Sequence, residues 1–197
     1  MNNHPFDTLI KGNATRSYDT KWYPQSVSNY KQVFKIENNE ALLKNIAYNM
    51  QYLEFIEKEL EELDPSTVLK RMLTKTYVIT SASIIEGLFL NLVQTKGWNE
   101  SKKIRFVKLI DILDEKCKEN NVDTSITATI HQVRELRNRI HLQKTEEDSI
   151  SDHDYNAFTE DVKRETQELL YRILISPEIS NVSIFDFIKP TESITEK

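Results

Sequence analysis

The sequence predicts an all-α fold, and three observations carry that prediction. Only 3 glycines and 5 prolines punctuate 197 residues, too few for the many turns of an all-β chain. Long stretches are rich in Leu, Ile, Glu and Lys. Within them apolar residues recur at helical spacing. The length fits one domain with a hydrophobic core of its own and some chain left for terminal arms. The divisions expected are an irregular N-terminal arm over residues 1–36, a domain of about five helices packed as an antiparallel bundle over 37–176, and a C-terminal tail over 177–197.

The arm has no period, yet it carries Phe6, Tyr18, Trp22, Tyr23, Tyr30 and Phe34, more aromatics than a disordered tail usually holds. It is expected to drape over the domain or over a second subunit. Leu42, Ile46, Leu53, Ile56, Leu60 and Leu63 then make one stripe of a first long helix, with Glu54, Glu57, Lys58, Glu61 and Glu62 mostly placed away from it. Asp64 and Pro65 read as an N-cap and first helical residue, because a proline there forfeits no helical hydrogen bond. The helix they open runs to about Lys96 and is apolar nearly all round in TYVITSASIIEGLFLNLV, which makes it the central helix. Glu86 lies on its apolar surface among Ala82, Phe89, Val93, Ile79 and Leu90, so it must protonate or find a partner.

Gly97 suits the left-handed position that ends a helix. Asn99 or Ser101 then caps a third helix from about Lys102 to Glu119, with Ile104, Phe106, Val107, Ile110, Leu113 and Cys117 on its apolar side. Residues 120–123 form a turn, and Thr124 or Ser125 caps a fourth helix that reaches about Gln143. After the acidic loop 145–149, Ser151 and Asp154 resemble a capping box for a fifth helix faced by Tyr155, Phe158, Val162, Leu169 and Ile173. It stops before Pro177, beyond which residues 179–190 form a short hydrophobic clip and 191–197 a frayed tail.

The formal charge is −5 and the charges are spread along the chain, which argues against a protein that coats nucleic acid by bulk charge. Cys117 is the only cysteine. It excludes an intrachain disulfide and a zinc site built on several cysteines, reads as a small core residue, and suits a reducing compartment. The first residues lack the apolar core of a signal peptide, and no apolar run of membrane-span length is expected. A cytoplasmic protein with no membrane partner is the expectation.

The fourth helix is where the pattern breaks. At about 100° per residue, with Arg134 at zero, Ile126, Ile130, Val133, Leu136 and Ile140 share one arc. Arg137 lies inside that arc, and His141, Arg134 and Asn138 line its edge, while Arg139 points almost the opposite way. Between His131 and Lys144 stand Arg134, Arg137, Arg139 and Lys144 against Glu135 alone, a local positive excess in an acidic chain. Taken singly, Arg137 and Glu86 would be a buried ion pair tying two core helices, His141 a satisfied imidazole, and Arg134 a solvated charge with its stem on the core. Their crowding on one side within two turns points instead to a single site.

RELRNRIH, Arg134 to His141, resembles the motif of HEPN domains (higher eukaryotes and prokaryotes nucleotide-binding), in which an arginine precedes a histidine by four to six intervening residues. Arg134 meets that spacing with six. Arg137 and Asn138 look like the family's arginine followed by a polar residue, but only three residues separate Arg137 from His141, so which arginine corresponds is open. SASIIEGLFLNL resembles the family's earlier helix, whose acid corresponds to Glu86. The resemblance covers roughly residues 40–175, and its specific part is eight residues long. It implies a helical bundle that is often a metal-independent endoribonuclease of toxin–antitoxin or phage-defence systems. It further implies 2′,3′-cyclic phosphate ends, a homodimer that joins two motifs, and an antitoxin or nucleotidyltransferase partner.

The residue types suit that chemistry. Without a metal, RNA cleavage needs a group titrating near neutrality to take the 2′-OH proton or protonate the leaving 5′-oxygen, as His141 can. It also needs cations against the charge building on phosphorus, for which the planar fork of Arg134 or Arg137 suits phosphate oxygens, with Asn138 orienting the phosphate or the histidine. No cofactor is expected. His4, His131, His141 and His153 lack metal-ligand spacing, since His131 and His141 would stand about 15 Å apart along one helix. No glycine loop for phosphates and no G-x-S-x-G elbow is present. The alternative is a HEPN-like domain without catalysis that binds RNA, a nucleotide or a partner protein through the same patch.

Overall fold

The computed structural model describes residues 22–63, 65–101, 103–119, 125–138, 157–181 and 184–190. Among them the chain is all-helical, with α1 (Val27–Val33), α2 (Glu40–Glu62), α3 (Thr67–Thr95), α4 (Phe106–Glu119), α5 (Ser125–Asn138), α6 (Glu160–Leu174) and a 3-10 turn, Asp186–Ile188. Outside them fall Phe6, Tyr18, Asp64, the turn 120–123, Thr124, Arg139, Ile140, His141, the loop 145–149, the Ser151–Asp154 capping box, Tyr155 and the tail from 191.

α3 is central because its sequence is apolar on every side. Tyr77, Val78, Ala82, Ile84, Ile85, Leu88 and Val93 are all buried, and α2, α4, α5 and α6 each pack against it. In length and composition α3 would suffice to cross a membrane, contrary to the expectation that no stretch does. From Thr74 onward its apolar surface is largely met by the surrounding helices, while Val68, Leu69 and Met72 in its first turns are exposed. At Gly87 an added Cβ would stand 3.1 Å from Leu42 Cδ1 and 3.4 Å from Ile46 Cδ1, so the bare glycine lets α2 lie close. Gly97 does end the helix at φ 66°. Trp98 N–H donates to Val93 O at 3.0 Å and Gly97 N–H to Gln94 O at 3.1 Å, the paired bonds of a Schellman motif.

Three helix starts differ from expectation. α3 begins at Thr67 rather than Pro65 and α4 at Phe106 rather than near Lys102, while α6 begins at Glu160, where the Thr159 hydroxyl accepts from Val162 N–H. Side-chain capping chose Thr159, a residue that periodicity does not mark.

The terminal segments enter the core. Tyr30 and Val33 of α1, and Phe34 beyond it, are buried, so the expected irregular arm contains a packed helix over Val27–Val33, N-capped by Ser26. Phe34 meets Phe185 with ring centroids 5.9 Å apart. Lys35 N–H donates to Ile179 O and Asn181 N–H to Val33 O, both at 2.9 Å, giving an antiparallel bridge between Phe34 and Ser180. Ile179, Phe185 and Ile188 are buried in the same cluster, and the 3-10 turn packs on α2 and α6, so the segment after α6 is fastened to the one after α1.

Candidate functional site

α5 is positioned by its apolar stripe. Ile130 and Val133 are buried, and the helix packs on α3, α4 and α6. That docking carries Arg137, in the last turn of α5, onto the flank of α3, where its Nη2 lies 2.8 Å from Glu86 Oε2. The predicted pairing within one chain is present. The predicted deep burial is not, since the two side chains are 32% and 24% exposed. Ile79, Ser83, Glu86 and Leu90 of α3 are all only partly buried. They follow one another along one side of the helix, so Glu86 sits on an open seam of its middle stretch, beside the buried Ile85 and Leu88.

Arg134, one turn before Arg137, is more sheltered, with its side chain 20% exposed. Its Nη2 reaches Glu135 Oε1 at 3.4 Å, a long contact to an exposed acid. Its Nε is buried without a hydrogen-bond partner among the described residues. An enclosed guanidinium N–H left unmatched costs about 1–3 kcal/mol, so an acceptor brought to it would relieve a standing deficit. Asn138 is exposed at the end of α5. His141 lies outside the described residues.

The arginines sit at the carboxyl end of α5, where the helix carbonyls favour positive charge. Arg137 spends one of its five N–H donors on Glu86 and has the others for further acceptors. The cleft between α5 and α6, about 250 Å³, is a different place. It is lined by Thr129, Gln132, Val133, Glu135, Leu136, Val162, Glu165 and Thr166, and its two glutamates make it unsuited to an anion.

Two polar clusters were not singled out in the sequence. Between α4 and α5, Asp114 accepts from Thr127 Oγ1 at 3.3 Å and pairs with Lys118. The Lys118 hydrogen bond first, with smaller help from Thr127 and His131, holds its carboxyl below the ordinary value. Beside it, burial and then Asp114 push the Cys117 thiol up, which suits the inert residue expected. The second cluster lies among α2, α3 and α6. Lys163 Nζ stands 2.6 Å from Glu57 Oε2, with side chains 13% and 7% exposed, and 5.1 Å from the Tyr77 ring centroid. Glu57 and Glu54 thus face inward, contrary to their expected place away from the stripe. Glu54 accepts from Tyr30 Oη at 2.8 Å and Gln25 N–H at 2.7 Å. Burial, and next the Glu54 hydrogen bond, raise the Tyr30 phenol. A buried acid in an acid-rich helix leaves no mark in periodicity; the aromatic and lysine partners are far away in sequence.

Among the described residues no His, Cys, Asp and Glu side chains gather in a metal-holding group of three. Comparison with protein-family models, curated proteins and solved structures finds no match.

Proposed function

We propose that this chain is a metal-independent endoribonuclease of HEPN type, working in a toxin–antitoxin or phage-defence system as a homodimer. Arg134, Arg137, Asn138 and His141 form its site and Glu86 supports it. The observation that carries this reading is the pair of arginines one turn apart. Glu86 of α3 steadies Arg137 at 2.8 Å, and Arg134 keeps a buried Nε without an acceptor among the described residues. A scissile phosphate is the acceptor such a pair would take. In the step itself, His141 accepts the 2′-OH proton while the 2′-oxygen bonds to phosphorus. The bond from phosphorus to the 5′-oxygen breaks and that oxygen takes a proton from water, yielding a 2′,3′-cyclic phosphate and a 5′-hydroxyl. Arg134 and Arg137 offset the charge that builds on the phosphoryl oxygens.

One observation favours a second reading, a HEPN-like domain that binds RNA, a nucleotide or a partner protein without cleaving. Glu86 already engages Arg137, as it would in a purely architectural tie. Labelled RNA incubated with the purified protein in EDTA separates the two. Cleavage that persists in EDTA and disappears in Arg134→Ala and His141→Ala is the expected result. Intact RNA bound with an affinity that drops in Arg134→Ala would leave the binding reading and overturn the catalytic one.

A further inference from the structure

The side of α2 turned away from the core is unusually apolar at its centre. Tyr48, Tyr52 and Phe55 are 49%, 45% and 43% exposed and occupy successive turns of one face, opposite the buried Leu43, Ile46, Met50 and Leu53. The Tyr52 and Phe55 rings stack with centroids 6.5 Å apart, so the patch is held in shape before anything meets it. Single exposed aromatics are ordinary on a protein surface, whereas three in register on one helix mark a contact.

The charges on that face say what meets it. Lys44 lies on the same face one turn before Tyr48, and Glu59 one turn after Phe55. Both are outside the ion pairs formed among the described residues. A two-fold axis between Gln51 and Tyr52 would run two α2 helices antiparallel. It would set Tyr48 of one copy against Phe55 of the other and Lys44 against Glu59, each contact made twice. We infer that the outer face of α2 is a self-complementary interface through which two copies of this chain associate. Single-stranded RNA, which also stacks on aromatics, fits less well, because Glu59 and Glu62 stand at one end of the stripe. α2 and α3 intervene between this face and Arg137, so the contact is separate from any that joins two RNA-cleaving motifs and stands whether or not the chain is a nuclease.

A helix-on-helix contact about 35 Å long lies at the small end of interface sizes, so association at micromolar concentration is the regime to examine. Sedimentation equilibrium of the full-length chain should show self-association that Phe55→Glu lowers by one step. Lys44→Glu and Glu59→Lys, each of which sets like charges opposite one another, should each weaken it roughly tenfold, while the double variant Lys44→Glu/Glu59→Lys restores it. Circular dichroism and urea melts matching the wild type would show that the variants fold. A wild-type mass that none of these substitutions changes overturns the inference. So does a double variant as weak as the singles, or a Phe55→Glu protein that keeps its mass but loses RNA binding.

Discussion

Of the ion pairs that join helices among the described residues, Glu57–Lys163 and Glu86–Arg137 differ most in what surrounds them. Glu57–Lys163 is closed, with the side chains 7% and 13% exposed and the ammonium over the Tyr77 ring. Glu86–Arg137 is open along one flank of α3. Burial pushes the Glu57 carboxyl above its ordinary value even with Lys163 beside it, the behaviour of a charge held in the interior at a cost. The open pair is bound less tightly into the fold and keeps guanidinium donors available. On the proposed function, architecture falls to the closed pair and chemistry to the open one.

The sharpest way to break that comparison is to remove one partner from each pair. Lys163→Ala strands a buried carboxylate and should lower stability by about 3–5 kcal/mol, read as a fall in the urea midpoint at unchanged slope. Glu86→Ala should cost about 1–2 kcal/mol, less than a fully buried pair would, because solvent already reaches both groups. On the proposed function it should nevertheless lose most RNA cleavage, since Arg137 is then unsteadied. Equal melting losses in the two variants would erase the distinction.

Acid offers a second contrast. The native Glu57 carboxyl binds its proton more tightly than an unfolded glutamate near 4.5 does. Between those two values the native state therefore holds more protons, and stability from this group falls as pH rises. Wild type compared with Glu57→Gln should gain relative stability as the pH is lowered from neutral toward 4.5, measured by paired melts at several pH values. A difference that stays flat or reverses would mean that Lys163, and not burial, governs Glu57. The smallest effect is expected at Tyr77, whose buried hydroxyl lies close enough to Glu57 and Ser81 to feel both but meets no partner among the described residues in hydrogen-bonding geometry. Tyr77→Phe should be neutral or stabilising by up to about 1 kcal/mol; a clear loss in the melt would reveal a bond between that hydroxyl and the Glu57 cluster.

Periodicity made most of the fold legible. The stripes of α2 and α5, the all-round apolar character of α3 and the stop at Gly97 follow from side-chain spacing and from one residue suited to positive φ. The pairing of Glu86 with Arg137 was also readable, because each stands on a face that is otherwise apolar. Its exposure was not, since whether a seam of α3 is covered depends on how α5 lies across it. Nor was the inward turn of Glu57, whose partner Lys163 is more than a hundred residues away. Helix α1 was hidden for a related reason: its 7 residues are too few to establish a period, and what holds them is contact with α2 and with Phe185.

The bridge between Phe34 and Ser180 also fixes an order of events during synthesis. Chains leave the ribosome amino end first, at about 5–20 residues per second, so α1 emerges well before the segment that covers Phe34. Helices α2 and α3 can dock early, for their contacts are with near neighbours in the chain. The aromatic surface around Phe34 stays uncovered until residues 179–188 arrive. A chain that ended just after α6, short of Ile179, would thus present a nearly assembled bundle with one greasy edge, a form suited to recognition by a chaperone.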